Sequence, residues 1–193
     1  MNKYILGLIF YVTAFGAYSK NVELNSPIPT TQVNTNKQSF PNLISSGNYL
    51  PIGETTFSIL FWDLYKSKLF TTSGSYPISL KSESLIFHIN YLVDISSEDL
   101  INRTVEQWKL LGVKKIKYEG YIEQLKELWP DIKEGDSLAV LVEQHKSDFY
   151  FNDEYLGSIH DPSFGQLFID IWLSKDTSQP SLRAELLGDN DYE

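Results

Sequence analysis

Residues 85–112, LIFHINYLVDISSEDLINRTVEQWKLLG, change hydrophobic period midway, and that change decides the fold class. Leu85, Phe87, Ile89, Tyr91 and Val93 fall on one side of an extended chain, with His88 and Asn90 on the other, so a half-buried strand is predicted. From residue 96 the period is helical. Leu100, Ile101, Thr104, Val105, Trp108 and Leu111 make one stripe. Ser96 or Ser97 can cap the first turn, Glu98 and Asp99 suit its positive end, and Gly112 is a natural stop.

Working outward, Tyr118, Tyr121, Ile122, Leu125, Leu128 and Trp129 recur at three- and four-residue steps, so a second helix follows and Pro130 ends it. Strands return at 138–142 and 149–151, where Asn152-Asp153 supplies a turn into a partner strand at 155–159. Asp161 with Pro162 reads as the start of a helix whose stripe is Phe164, Leu167, Phe168, Ile171 and Trp172. A short last helix runs from Pro180 toward Gly188. Upstream, residues 56–65 are β-branched and aromatic throughout and read as one long, largely buried strand. Asp63 inside that strand needs a polar partner. Blocks of strands and helices segregated in this way argue for an α+β fold, with helices layered on one face of an antiparallel sheet.

The chain divides into a signal peptide at 1–19, a flexible leader at 20–48, one domain at 49–188 and a short tail at 189–193. The first segment has Lys3, an uncharged apolar stretch from Tyr4 to Phe15, and Ala17-Tyr18-Ser19 before Lys20. That layout predicts export with cleavage after Ser19, and the apolar run is too short for a stable membrane span. The destination is the periplasm in a Gram-negative source and the medium otherwise. Asn, Ser, Thr, Pro and Gln dominate the leader, which lacks the apolar pattern needed to offset chain entropy.

Composition narrows the function. The 193 residues carry a formal charge of −9, so nucleic acid and anionic headgroups are poor partners. Cysteine is absent, which excludes disulfides, thiolate metal sites and a cysteine nucleophile. His88, His145 and His160 lack metal-ligand spacing, and there is no glycine-rich phosphate loop, so no cofactor is indicated. His160-Asp161 lies near serines, but no Gly-x-Ser-x-Gly elbow accompanies it. Twelve Tyr, eleven Phe and four Trp fit a packed β-rich core or an aromatic-lined ligand cavity.

The element order and its landmarks resemble the chalcone-isomerase-like proteins, especially their exported bacterial branch. The landmarks are Phe57-Ser58-x-Leu60-Phe61-Trp62-Asp63-x-Tyr65, Asp99-Leu100-Ile101 and Thr104-x-x-Gln107-Trp108. They continue with Trp129-Pro130-Asp131, Gly135-Asp136, Phe149-Tyr150-Phe151-Asn152, Leu156-Gly157-x-Ile159-x-Asp161-Pro162-x-Phe164 and Ile171-Trp172-Leu173-Ser174. The set closes with Thr177-Ser178-x-Pro180-x-Leu182-Arg183. The resemblance implies an open-faced β-sandwich, a large antiparallel sheet under a helical layer with a ligand cleft between them. Plant members close a chalcone to a flavanone, and relatives without that activity bind fatty acids in the same cleft.

Aligned on Trp108, the plant catalytic tyrosine falls on Ser96 and the asparagine on Arg103, while the two threonines fall near Leu60 and Ile171. The phenoxide-binding arginine should precede Phe57, yet the only arginines are Arg103 and Arg183. The resemblance therefore implies a non-catalytic binder of a small amphipathic ligand such as a fatty acid. The alternative is an isomerase or intramolecular lyase acting through other residues. Candidate ligand-binding residues are Arg103, Thr104, Tyr65 and Tyr91, with Arg103 at the edge of the apolar stripe as a carboxylate anchor. Arg183, on a short polar helix, reads as structural.

Overall fold

The alternating stretch at 85–93 becomes the third strand of a six-stranded sheet in the computed structural model, which describes residues 39–189. The strands are β1 (Leu50–Ile59), β2 (Trp62–Thr71), β3 (Leu85–Tyr91), β4 (Ser137–Val142), β5 (Ser147–Phe151) and β6 (Glu154–Ile159). They pair antiparallel in sequence order, and β1 and β6 remain edges, so the sheet does not close into a barrel. Between and after them come α2 (Ser97–Leu110), α3 (Glu119–Leu128), α4 (Phe164–Leu173) and α5 (Pro180–Leu186); α1 (Phe40–Ser46) precedes β1.

Register sorts the side chains between two faces. Across the sheet Phe87 lies between Leu69 and Val140, Ile89 lies between Ser67 and Leu138, and Tyr91 faces Tyr65. This face builds the main core with Ile101 and Trp108 of α2, Leu125 of α3, Phe164, Phe168 and Ile169 of α4, and Leu186 of α5. The Trp108 indole N–H donates to the Leu167 carbonyl at 3.0 Å, tying α2 to α4. Ser96 caps α2 as expected, accepting from the Asp99 amide at 3.1 Å, and Gly112 takes φ +72 just past its end.

Three expectations need correction. Residues 56–65 are not one buried strand but the two arms of a hairpin, and the arms extend to 50 and 71. Leu60-Phe61 is its turn, with Leu60, Phe61 and Trp62 exposed. Period-two reasoning passes through the turn because nothing there looks like a turn residue. Asp63 is consequently at the surface, where it accepts from the Ser58 hydroxyl at 2.6 Å. Second, order begins before residue 49. Pro41 opens α1, whose Phe40 is buried against the outer face of the sheet with Ile86, Ala139, Leu141 and Tyr150. Its ring stacks on His88 at 5.0 Å, and its amide donates to the Asp153 carbonyl at 3.0 Å. Third, Asp161 does not cap α4 directly. Its carboxylate accepts from the Ser163 amide at 2.7 Å, closing a turn before the helix starts at Phe164. The expected signal peptide and the leader up to residue 38 lie outside the described residues.

Candidate functional site

The β2 residues that share the face toward the helices are Tyr65, Ser67, Leu69 and Thr71; Tyr65 and Ser67 put hydroxyls into a largely apolar layer, and the Thr71 hydroxyl donates to the Ser75 carbonyl. Tyr65 is half-buried as a residue, with its hydroxyl enclosed against α4. The Trp172 indole N–H donates to that hydroxyl at 3.1 Å. Around it, the Tyr65 ring lies 5.2 Å from Phe57 and 6.1 Å from Tyr91, and Trp172 lies 4.5 Å from Phe87. These distances describe one aromatic seam between the hairpin, β3 and α4.

Electrostatics keep the seam neutral. Burial pushes the Tyr65 phenol up to about 12, with the Trp172 N–H opposing the shift. Burial raises Tyr91 further, and Tyr65 beside it acts in the same direction. Two phenols held in the protonated form are donors near neutral pH, not bases. Ser67, which follows Tyr65 by roughly 7 Å along the same face, is 1% exposed, and its hydroxyl makes no hydrogen bond within the protein. Beside Ser67 in the register stands Thr55 of β1, whose hydroxyl donates to the Glu185 carboxylate of α5. Gly53 lets α5 come this close: a Cβ there would lie 2.2 Å from the Glu185 carbonyl oxygen.

Of the four residues expected to bind ligand, the fold brings two into contact, Tyr65 and Tyr91. Thr104 is buried on α2, but its hydroxyl donates to its own helix at the Leu100 carbonyl, 2.9 Å away. Arg103 lies on the flank of α2, partly exposed, and donates to Glu106 at 2.8 Å. Ser67, Phe57 and Trp172 were not among the expected site residues. Sequence periodicity puts Trp172 only in a core stripe, and nothing in the sequence marks Ser67 as buried.

The space between the sheet and α4 is tightly filled where it can be measured. A void between the sheet and α4, lined by Phe87, Ile89, Leu138, Val140, Phe149 and Phe168 among others, measures about 10 Å³, room for about one water. A wider groove of about 410 Å³ lies elsewhere, where Lys81, Glu83, Ser84, Glu143, His145, Lys146 and His160 surround a solvent-open depression. Its charges are of both signs. Lys146 already bonds Glu143 at 3.0 Å and buried Asp148 at 2.6 Å.

The positions aligned with plant catalytic residues have other roles. Ser96 caps α2, Leu60 is in an exposed turn, and Ile171 is buried, with its carbonyl accepting from Thr177 at 2.7 Å. Arg183 holds the end of α4 by donating to the Leu173 carbonyl at 2.8 Å. Tyr121 donates to Asp161 at 2.8 Å; burial, helped by that carboxylate, pushes its phenol up to about 12. Among the described residues no group of His, Asp and Glu could hold a metal, and no helix is long and apolar enough to cross a membrane.

Comparison with known proteins bears on the same segment. A family model described as chalcone isomerase-like matches residues 54–188. An uncharacterized protein of Haemophilus influenzae is 23% identical over 141 residues, covering 73% of this chain and 69% of its own. Among solved structures, a fatty-acid binding protein of Arabidopsis thaliana superposes with a TM-score of 0.56 at 10% identity, covering 74% of this chain and 88% of its own. That likeness is one of fold.

Proposed function

Because the chain belongs to the chalcone isomerase-like family, we propose that it binds a small amphipathic molecule such as a fatty acid, without converting it, in the seam between the β1–β2 hairpin, β3 and α4. The observation that carries this reading is the Ser67 hydroxyl, buried and without a partner in the protein, on the same strand face as Tyr65. An unmade hydrogen bond at a buried hydroxyl costs about 1–3 kcal/mol, and a ligand's polar group removes that cost. Tyr65 and Tyr91 add neutral hydroxyls, and Phe57, Phe87 and Trp172 supply apolar contact for a chain. In this proposal the half-buried Phe57 and Trp172, whose rings flank Tyr65 and Phe87, move aside to admit the chain.

The non-catalytic part of the reading rests on the protonated phenols and on the structural duties of Ser96, Leu60 and Ile171. The solved relative whose printed name is a fatty-acid binding protein supports the ligand class through shared fold. The signal-like start of the sequence supports an exported binder in this proposal.

Native mass spectrometry of the purified protein, before and after solvent extraction, is the direct test. A small-molecule adduct lost on extraction, and restored by an added fatty acid, is the expected outcome. Ser67→Ala and Tyr65→Phe should each weaken the rebinding several-fold while the protein stays folded. An extracted protein that rebinds no amphipathic molecule would retire the proposal.

A further inference from the structure

Leu60, Phe61 and Trp62 are 87%, 97% and 72% exposed at the tip of the β1–β2 hairpin, where Leu60-Phe61 links the paired residues Ile59 and Trp62. The sequence here departs from what a turn requires in two ways. Two-residue hairpin turns favour Asn and Gly because they demand positive φ, yet Leu60 takes φ +57, a strained position for a bulky side chain. Three consecutive large apolar residues also face water, which folding alone does not call for.

We propose that this tip inserts into the interfacial zone of a zwitterionic lipid bilayer. The shape favours a bilayer over a protein partner. A two-residue turn is convex and presents three side chains, far short of the roughly 800 Å² per partner that a stable protein interface buries. Trp, Phe and Leu are the side chains found on the apolar faces of segments that lie in a membrane interface. Charge selects the kind of bilayer. A protein of net charge −9 is repelled by anionic headgroups, so the attraction is apolar and should be insensitive to salt. Behind the tip, exposed Asp63 bonded to Ser58 and exposed Lys66 suit the headgroup level.

Register joins the tip to the seam. From the pair Ile59–Trp62 the next aromatic pair inward is Phe57–Tyr65, and Tyr65 in turn faces Tyr91. A docked tip would therefore hold an aromatic track open to the bilayer, the reservoir of amphipathic molecules. This last link rests on the proposed ligand-binding function; the membrane contact does not.

The test uses phosphatidylcholine vesicles and the whole protein. Of the four tryptophans, Trp108 and Trp129 are buried and Trp172 is half-buried, so Trp62 is the one that can report insertion. Vesicles should shift its emission to the blue, brominated lipid should quench it, and co-sedimentation should persist from low to high salt. The double variant F61S/W62S should lose at least about tenfold in vesicle affinity, since burying one such side chain alone is worth that factor. Its melting temperature and its fatty-acid affinity in lipid-free solution should match the unmutated protein. No vesicle binding by the unmutated protein, or equal binding by the variant, would overturn the proposal. So would concentration-dependent self-association that the variant abolishes, because the tip would then be a contact between copies. Vesicle binding without any fatty-acid binding would sink the ligand reading and leave this one standing.

Discussion

If the proposed ligand is a carboxylate, Arg103 is the residue at which its charge can be tested. The seam offers neutral hydroxyls, and a carboxylate buried among them would need a cation. Arg103 stands next to buried Thr104 on α2, and its bond to Glu106 is half in solvent, with the two side chains 38% and 53% exposed. Such a surface pair contributes about 0–1 kcal/mol, so an incoming carboxylate can displace Glu106 at little cost. Arg103→Ala should then weaken fatty-acid binding about ten- to a hundredfold, the loss of one charge-assisted contact. Binding of the matching alcohol should barely change. Equal losses for acid and alcohol would mean that Arg103 supports the fold and no head group. A second residue-scale expectation concerns chemistry. With a cap at Ser96, a turn at Leu60 and a core side chain at Ile171, chalcone absorbance should decay in the protein's presence only at its spontaneous rate. Saturable, protein-dependent decay would restore the isomerase reading.

At the scale of elements, stability depends on close contact between helices and sheet. Trp108 is fully buried between α2 and the core, and truncating it to alanine should destabilise the domain by about 3–5 kcal/mol. Gly53→Ala should destabilise by about 1–3 kcal/mol, because the added methyl meets α5 backbone at 2.2 Å and no side chain can swing away. Denaturant titration would check both, and unchanged midpoints would mean that α2 or α5 is wrongly seated. The helices α2, α3 and α4 were readable in advance because their apolar stripes repeat over about three turns, with Gly112 and Pro130 closing the first two, and the short α5 was readable because Pro180 and Gly188 bracket it. The β5–β6 hairpin was readable because Asn152 and Asp153 take the positive φ values, 47° and 69°, that its turn residues announce. The β1–β2 hairpin was not, because Leu60 adopts the same conformation without the residue type that signals it. α1 was missed for another reason: seven residues are too few to show a period, and one buried Phe40 anchors them. The site followed the same logic. Tyr65 and Tyr91 could be named from apolar strands, whereas the burial of Ser67 depends on α5, which arrives from far along the chain to pack on β1 and β2.

For the whole molecule, the tyrosines should set the alkaline limit of stability. Burial pushes Tyr65 and Tyr150 up to about 12, burial helped by Asp161 does the same to Tyr121, and Tyr91 is raised further still. In the unfolded chain these phenols lose their protons near the ordinary value of 10.0. Between that value and about 12 the folded state therefore binds more protons than the unfolded state, and raising the pH favours unfolding. Their contribution is fully present below pH 10 and is lost as the pH climbs through the folded values. Three of these phenols sit on the sheet, Tyr65 and Tyr91 on the face covered by the helices and Tyr150 under α1, so their loss should unfold the domain in one step. Denaturant midpoints should hold level up to about pH 10 and then fall, and the absorbance of these tyrosinates should grow together with the loss of circular dichroism. Tyr65→Phe should make the fall shallower, since one fewer proton is then released on unfolding. Ionisation of Tyr65 and Tyr91 near pH 10 while the dichroism stays native would show instead that the seam admits water, and the neutral-donor account of these two residues would have to be given up.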